Sequence, residues 1–203
     1  MMNPSIQIVE KPDWVSWEEI HEVLWKSHEN NREKGIYMAF PALPGDKIKE
    51  KIEGNGKMLV ALYDGKLVGT AAVTTKHVKV WCGKTDYAFF CFASVLPEYN
   101  GKGIFKALDI ERERVVKKMG LDKIIGDTHE NNQHRLEIAR KADYKFVDYK
   151  FYKDHYNIVI VKWMNGCPYP QWYIKLRFYM SKFKQRTRYK MVPGNGRVKR
   201  FGI

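Results

Sequence analysis

Two glycines that flank a single residue, Gly101 and Gly103, stand between an apolar run and a helical pattern. The apolar run, residues 87–95, is typical of a buried strand, and residues 104–119 carry Leu108, Val115 and Met119 at helical spacing. Glycine lets the backbone approach a ligand closely, and the N-terminus of a helix carries roughly half a positive charge. This order of elements predicts a turn that holds a phosphate group on backbone amides. An ordinary tight turn between a strand and a helix is the alternative.

The elements that position this turn follow from periodicity and turn signals along the chain. A capping box at Ser16 and Glu19 predicts the start of a helix, and Asp64-Gly65 predicts a hairpin. Further helices are predicted over residues 46–53, 104–119 and 133–141, and strands over residues 5–9, 57–63, 66–73, 87–95, 122–128, 146–152 and 157–163. The predicted order is β, α, α, β, β, β, α, β, α, β, β, so the domain contains both helices and strands.

Residues 95–104 resemble the pyrophosphate-binding motif of the GNAT superfamily, the acyl-CoA-dependent N-acetyltransferases. The family pattern is Arg/Gln-x-x-Gly-x-Gly/Ala after Val-x-Pro. Val95, Pro97 and the two glycines fit it, whereas Glu98 stands where the family has Arg or Gln. The order of predicted elements over about residues 5–164 is also that of the family. The resemblance implies the GNAT fold, an α/β (α+β) architecture whose central, mostly antiparallel sheet is splayed at the motif strand between helices on both faces.

The resemblance also implies acetyl-CoA as the cofactor and assigns residues to it by position. The residues concerned are Phe92, Ala93, Val95, Gly101, Lys102, Gly103, Ile104, Lys106 and Asn132. The amides of residues 101–104 would bind the pyrophosphate, the backbone of residues 92–95 would pair with pantetheine, and the two lysines would meet phosphates. Exposed lysines at a helix start and helix capping by Asn132 are the alternatives for those side chains. No metal is implied.

Catalytic candidates follow from aligning Asn132 with an asparagine of the family. Asp127 then falls where members that acetylate protein N-termini have a general base, with a hydrogen-bonded strand-end carboxylate as the alternative. His129 lies on the same face of the same strand and could relay a proton, although a solvated surface histidine is the expected reading. Ala139 stands where many members have a tyrosine acid, and Asp143-Tyr144 replaces Gly-Phe. Losing a general acid costs a factor of about 10² to 10⁴, so an enzyme remains the prediction.

Recognition of the acceptor in such enzymes comes from the first helices and the last hairpin. The aromatic candidates are Tyr37, Phe40, Trp81, Tyr149 and Tyr152, each with simple packing as the alternative. His77 and His134 are predicted to be surface residues.

Composition places the chain among globular proteins. Its 203 residues are 44% hydrophobic and 29% charged, which fits one domain with a proper core. The N-terminus has no signal-peptide pattern, and the longest apolar run is about half of the roughly 20 residues that span a membrane. Three cysteines, Cys82, Cys91 and Cys167, lack metal-site spacing. These features predict reduced thiols and a cytoplasmic location.

The positive charge is concentrated at the C-terminus. All 23 acidic residues lie at or before Asp154, whereas 11 of the 36 basic residues follow it. We therefore expect a domain over residues 1–164 and a basic, aromatic-rich extension over residues 165–203. Within the extension one helical stripe is predicted, consisting of Trp172, Leu176, Tyr179, Met180 and Phe183.

Three interpretations of the extension are open: a helix docked on the domain through the aromatic stripe, a helix on an anionic membrane surface facing the cytoplasm, and a segment that binds RNA or another polyanion. The functional hypotheses follow. The first is an N-acetyltransferase that acts on a primary amine, either a small molecule or a peptide, in a ternary complex. The second is a non-catalytic acyl-CoA-binding or interaction module on the same scaffold, and the third is an acyltransferase held at a membrane or polyanion by residues 171–200.

Overall fold

The computed structural model describes residues 6–36, 42–152, 155–191 and 198–200. These residues group into two compact units. The first unit contains the chain up to Lys76 together with Ala88–Asp122, and the second contains His77–Tyr87 and the chain from Lys123 onwards. All three cysteines are free thiols, as the sequence predicts.

The first unit is built on four strands in sequence order. They are β1 (Ile6–Glu10), β2 (Gly56–Tyr63), β3 (Lys66–Val80) and β4 (Gly83–Val95). Residues 77–80 of β3 and residues 83–87 of β4 belong to the second unit. β2 pairs antiparallel with both β1 and β3. Asp64 and Gly65 both have positive φ, +50° and +76°, which is the backbone of the predicted hairpin turn.

Four helices belong to this unit: α1 (Trp17–Ser27), α2 (Glu29–Glu33), α3 (Gly45–Ile52) and α4 (Ile104–Lys118). The predicted capping box opens α1, because the Ser16 hydroxyl accepts from the Glu19 amide at 3.1 Å and the Glu19 carboxylate accepts from the Ser16 amide at 2.7 Å. α2 is not predicted by the sequence. It buries no side chain, so it leaves no apolar periodicity to detect.

α4 carries the glycine turn at its start and packs on the sheet through one face. Its buried residues are Ile104, Leu108, Arg112 and Val116, and the first two join a core cluster with residues of β2 and β3. Leu108 is therefore buried as predicted, whereas the buried valine further along the helix is Val116 rather than the predicted Val115. Arg112 is only 1% exposed; it pairs with Asp109 and lies over the Phe90 ring at 4.1 Å. A charged residue on the buried face is what hydrophobic periodicity misses.

The second unit contains β5 (Lys123–His129), β6 (Lys145–Tyr152) and β7 (His155–Trp163), with β7 paired antiparallel between the other two. α5 (Gln133–Lys141) connects β5 to β6. It ends in a Schellman motif, in which Asp143 has φ +64° and the amides of Asp143 and Tyr144 donate to the carbonyls of Arg140 and Ala139. Asp143 therefore occupies the left-handed position after the helix end that glycine usually takes.

The C-terminal extension forms α6 (Gln171–Arg188), followed by β8 (Tyr189–Met191) and β9 (Val198–Arg200), which pair antiparallel. α6 packs along β6. The Tyr149 amide donates to the Ser181 hydroxyl at 3.1 Å and the Phe151 amide donates to Gln185 Oε1 at 3.5 Å, so the helix satisfies groups on the edge strand.

The docking interpretation of the extension is thus what the structure shows, but the predicted contact face is wrong. The buried residue of α6 is Ile174, and the five residues of the aromatic stripe are exposed. No helix among the described residues is both long enough and apolar enough to cross a bilayer.

Candidate functional site

The glycine turn of the first unit has the backbone of an anion site. β4 ends at Val95, a 3-10 turn spans Pro97–Tyr99, and α4 begins at Ile104. Gly101 and Gly103 have φ of +78° and +76°, which other residues rarely adopt, and Gly103 is the N-cap of α4. Since this cap has no side chain, it makes no side-chain hydrogen bond to the first turn of the helix.

The amides of this turn are available to a ligand. Within the described part of the chain, no protein acceptor is bonded to the N–H groups of Gly101, Lys102, Gly103 or Ile104. A Cβ placed on either glycine would meet no atom within 4 Å. The first turn of α4 carries no acidic residue. Uncapped donors, open space and the positive end of a helix dipole together suit a diphosphate.

The charged side chains around the turn are exposed. Lys102 holds its ammonium over the rings of Tyr63 and Tyr99, at 4.4 and 5.0 Å from their centroids. Lys106 is exposed one helical turn into α4, and Glu98 is exposed on the 3-10 turn. The two tyrosines therefore position Lys102, while Lys106 faces solvent.

The backbone of β4 departs from regular strand geometry before the turn. Phe92 has φ +51°, a left-handed conformation that costs a non-glycine residue about 1–2 kcal/mol. Its carbonyl accepts a hydrogen bond from the buried Thr70 hydroxyl at 2.9 Å. Ala93 and Val95 pack their side chains against the core cluster beneath α4. This segment thus holds a local distortion at the position predicted to pair with pantetheine.

A histidine and a serine that the sequence analysis does not select meet beside this strand. His28 Nε2 lies 2.9 Å from Ser94 Oγ, and His28 Nδ1 lies 3.1 Å from the side-chain amide nitrogen (Nδ2) of Asn31. The amide nitrogen can only donate, so Nδ1 accepts and Nε2 carries the proton that is donated to Ser94. Burial, and secondarily the charge of Arg32, lower the pKa of His28 to about 4. The only sequence signal for this pair is a serine inside an apolar strand.

The catalytic candidates lie on β5 in the second unit. Asp127 is exposed and faces Val159 across the strand pair. His129 is 8% exposed and stacks on His155 at 4.7 Å, so the expectation of a surface histidine is wrong. Its Nδ1 accepts from the Asn131 amide at 3.0 Å, which places the ring proton on Nε2. In this tautomer His129 is a donor at Nε2.

Asn132 caps α5, since its side-chain oxygen accepts from the Arg135 amide at 3.2 Å. Capping uses the oxygen alone, and the amide nitrogen can still donate to a ligand. Ala139, the residue aligned with the tyrosine acid of many family members, is fully buried on α5 and has no hydroxyl. The predicted surface positions of His77 and His134 are confirmed.

The acceptor candidates have different environments. Tyr149 is fully buried, donates to Glu130 and accepts from Arg186 Nε at 3.2 Å; burial and the Glu130 contact raise the pKa of its hydroxyl. Trp81 donates to the Val147 carbonyl and packs on Tyr169 and Tyr173, whereas Tyr152 is exposed. Tyr37 and Phe40 lie outside the described residues. Among the described residues no group of three or more potential ligands could hold a metal ion.

Comparison with protein families finds a match over residues 17–144 to the model of the acetyltransferase (GNAT) family. This range contains the glycine turn, Asp127, His129 and Asn132. A comparison with curated proteins finds no match.

Solved structures with this fold cover most of the chain. A GNAT-family acetyltransferase from Streptococcus agalactiae has 18% identity and a TM-score of 0.62, over 78% of this chain and 95% of its own. A GNAT-family acetyltransferase from Staphylococcus aureus has 17% identity and a TM-score of 0.61, over 79% and 99%. The PaiA N-acetyltransferase of Thermoplasma acidophilum, in complex with coenzyme A, has 20% identity and a TM-score of 0.59, over 78% and 99%. At these identities the similarity shows the fold.

Proposed function

Because this chain belongs to the GNAT family of acetyltransferases, enzymes that use acetyl-CoA, we propose that it passes an acetyl group directly to a primary amine in a ternary complex. The observation that carries this proposal is the turn at residues 101–104. Its four amides have no bonded acceptor among the described residues, and both of its glycines have left-handed backbones.

The cofactor is held by the first unit in this proposal. The amides of Gly101 to Ile104 bind the diphosphate, and Lys106 supplies a further positive charge. Neighbouring backbone groups at Phe92, Ala93 and Val95 bind the pantetheine arm. The left-handed backbone of Phe92 supports this assignment, because strained backbone conformations of this kind cluster at ligand-binding and active sites.

Acetyl-CoA supplies an activated thioester, and the protein must supply a neutral amine. An alkyl amine with a pKa near 10 is only about 0.1% neutral at pH 7, so a base helps the reaction. We assign this role to Asp127, whose exposed carboxylate can accept the proton directly or through water. His129 donates from Nε2 in the observed tautomer, so we assign it the role of orienting water or substrate rather than that of a base.

No residue replaces the missing tyrosine acid in our proposal. A thiol leaving group has a pKa of roughly 8.5, as in cysteine, so its departure needs little protonation. The remaining rate enhancement comes from positioning of the amine and from stabilisation of the developing negative charge by backbone N–H donors. The free thiols of the chain support the cytoplasmic location that we propose for this reaction.

The experiment that tests the proposal compares glycines at the two ends of α4. We expect Gly101→Val with Gly103→Val to abolish coenzyme A binding in titration calorimetry. Gly120→Val is the matched control, because Gly120 has φ +70° and open space around its Cβ position but lies at the other end of the helix. Unchanged affinity in the double variant, or equal loss in the control, would refute the cofactor assignment.

A non-catalytic acyl-CoA-binding module is the second candidate function. The observations that favour it are the buried Ala139 and the exposed Glu98 at two positions where the family pattern differs. Stabilisation of the protein by coenzyme A without acetylation of any amine in a broad panel would support this candidate over the enzyme.

A further inference from the structure

The C-terminal helix α6 presents two opposite faces within the second unit. Its inner face carries Ile174, Phe178, Ser181 and Gln185, which are buried or half-buried and pack along β6. The polar pair Ser181 and Gln185 binds backbone amides of that strand, and the Phe178 ring lies 6.0 Å from Phe146. These contacts fix which side of the helix faces outwards.

The outer face of α6 is apolar rather than polar. Five large side chains on it are exposed: Trp172 by 66%, Leu176 by 49%, Tyr179 by 64%, Met180 by 54% and Phe183 by 73%. At 3.6 residues per turn they occupy a sector of about 100° opposite the inner face. A surface helix normally turns its apolar stripe to the core, and a contiguous exposed apolar stripe marks an interaction surface.

Basic residues border this apolar sector on both sides. By helical position, Lys175, Lys182 and Arg186 lie along one border, and Arg177, Lys184 and Arg188 lie along the other. α6 contains no acidic residue. Arg186 is engaged with Glu130 and Tyr149, whereas Lys175 and Lys184 are exposed. The face therefore combines an apolar centre with two cationic edges.

We propose that this face of α6 binds the surface of an anionic lipid bilayer, with the helix lying parallel to the membrane. Aromatic and aliphatic side chains enter the boundary between headgroups and acyl chains, while lysines and arginines at the two edges meet anionic headgroups. The proposal does not depend on acetyl transfer. It places the protein at the membrane surface whichever amine is its substrate.

Two other partners fit this face less well. A second copy of the chain would bring two helices with six basic residues each, and no acidic residue, into contact, which like charges oppose. A nucleic acid would use the cations and could stack on aromatic rings, but it offers no apolar medium for Leu176 and Met180. A bilayer with anionic lipids complements both parts of the surface.

Sedimentation of the full chain with vesicles of phosphatidylcholine, with and without phosphatidylglycerol, tests the proposal. We expect binding to the anionic vesicles that weakens with added salt. Lys175→Gln with Lys184→Gln should weaken it roughly 30-fold, because each cation near an anionic surface contributes about a fivefold factor. Leu176→Ser with Phe183→Ser should weaken it by about 100-fold or more, since two apolar anchors are lost.

The matched control changes exposed apolar residues elsewhere. Trp14→Ser with Ile110→Ser removes two side chains of similar exposure and should leave vesicle binding within about twofold of the parent. Equal circular dichroism and equal coenzyme A binding establish that each variant is folded. Equal vesicle binding by the Leu176 and Phe183 variant, or no binding by the parent, overturns the proposal. A parent dimer that this variant dissociates, or oligonucleotide binding without vesicle binding, identifies another partner and also overturns it.

Discussion

His28 Nε2 lies 2.9 Å from Ser94 Oγ, across 66 residues of sequence. The contact joins the end of α1 to the strand that leads into the glycine turn. Because Nδ1 accepts from Asn31, the imidazole is neutral and donates its Nε2 proton to the serine. A charged imidazole would have to break the contact with Asn31 and would be desolvated. The pair therefore stabilises the first unit only while His28 is neutral.

Acid should destabilise the protein through His28. The pKa of this imidazole is lowered to about 4 in the folded state, whereas an unfolded histidine titrates near 6.5. Between these values the unfolded state binds a proton that the folded state does not. The free energy of unfolding should therefore fall as pH drops from about 6.5 to about 4, by up to about 1.4 kcal/mol per pH unit and about 3 kcal/mol in total.

Urea unfolding at a series of pH values measures this contribution. His28→Gln should flatten the profile between pH 6.5 and 4, at the cost of some stability at neutral pH. His77→Gln is the control, because His77 is exposed and bonded to Asp86 at the surface. If the His28 variant keeps the full pH dependence of the parent, the neutral buried imidazole is the wrong assignment.

Asp127→Asn tests the proposed base. Replacing the carboxylate with an amide of equal size should reduce kcat by a factor of about 10² to 10⁴, the usual contribution of general base catalysis, while coenzyme A affinity stays unchanged. The loss should be smaller at high pH, where more of the amine is already neutral. Asp86→Asn changes another exposed carboxylate of the second unit and should leave turnover intact. Unchanged turnover in the Asp127 variant would remove it as the base.

The glycine turn and the order of elements are predictable from the sequence because each leaves a local signal. Gly101 and Gly103 are needed for left-handed backbone, and the Ser16 capping box and Asp64-Gly65 hairpin are encoded within a few residues. The Ser94 contact with His28 is not predictable in this way, since nothing near either residue in sequence indicates the other.

The burial of Arg112 and the exposure of the aromatic stripe of α6 are mispredicted from the sequence, because their residue types are typical of the opposite environment. Arg112 is charged yet almost fully buried, since Asp109 and the Phe90 ring compensate its charge. The aromatic stripe of α6 looks like a buried face, but the face that packs on β6 consists largely of Ile174, Ser181 and Gln185. Edge-strand amides select polar partners that a hydrophobic pattern ignores.

The end of α5 offers a test of backbone strain. Asp143 adopts φ +64° in the same Schellman motif that Gly120 forms at the end of α4. Asp143→Gly should raise the free energy of unfolding by up to about 1 kcal/mol, because glycine has no Cβ to strain. Its exposed ion pair with Lys145 is worth little.

Asp143→Ala is the matched comparison, since it loses the same carboxylate but keeps a Cβ in the left-handed conformation. Urea unfolding should rank the glycine variant about 1 kcal/mol above the alanine variant. Equal stability of the two would mean that this residue is not held in the left-handed region.

The orientation of α6 can be tested with two residues two positions apart. Ile174 is 4% exposed and lies on the helix face that carries Ser181 and Gln185, whereas Leu176 is 49% exposed on the outer face. Ile174→Ala should lower the free energy of unfolding by about 2–4 kcal/mol, through lost apolar burial and a residual cavity. Leu176→Ala should change it by less than about 0.5 kcal/mol, because its side chain already contacts water. The reverse ranking in urea unfolding would show that the helix docks through its aromatic stripe, and the proposed membrane face would then be buried.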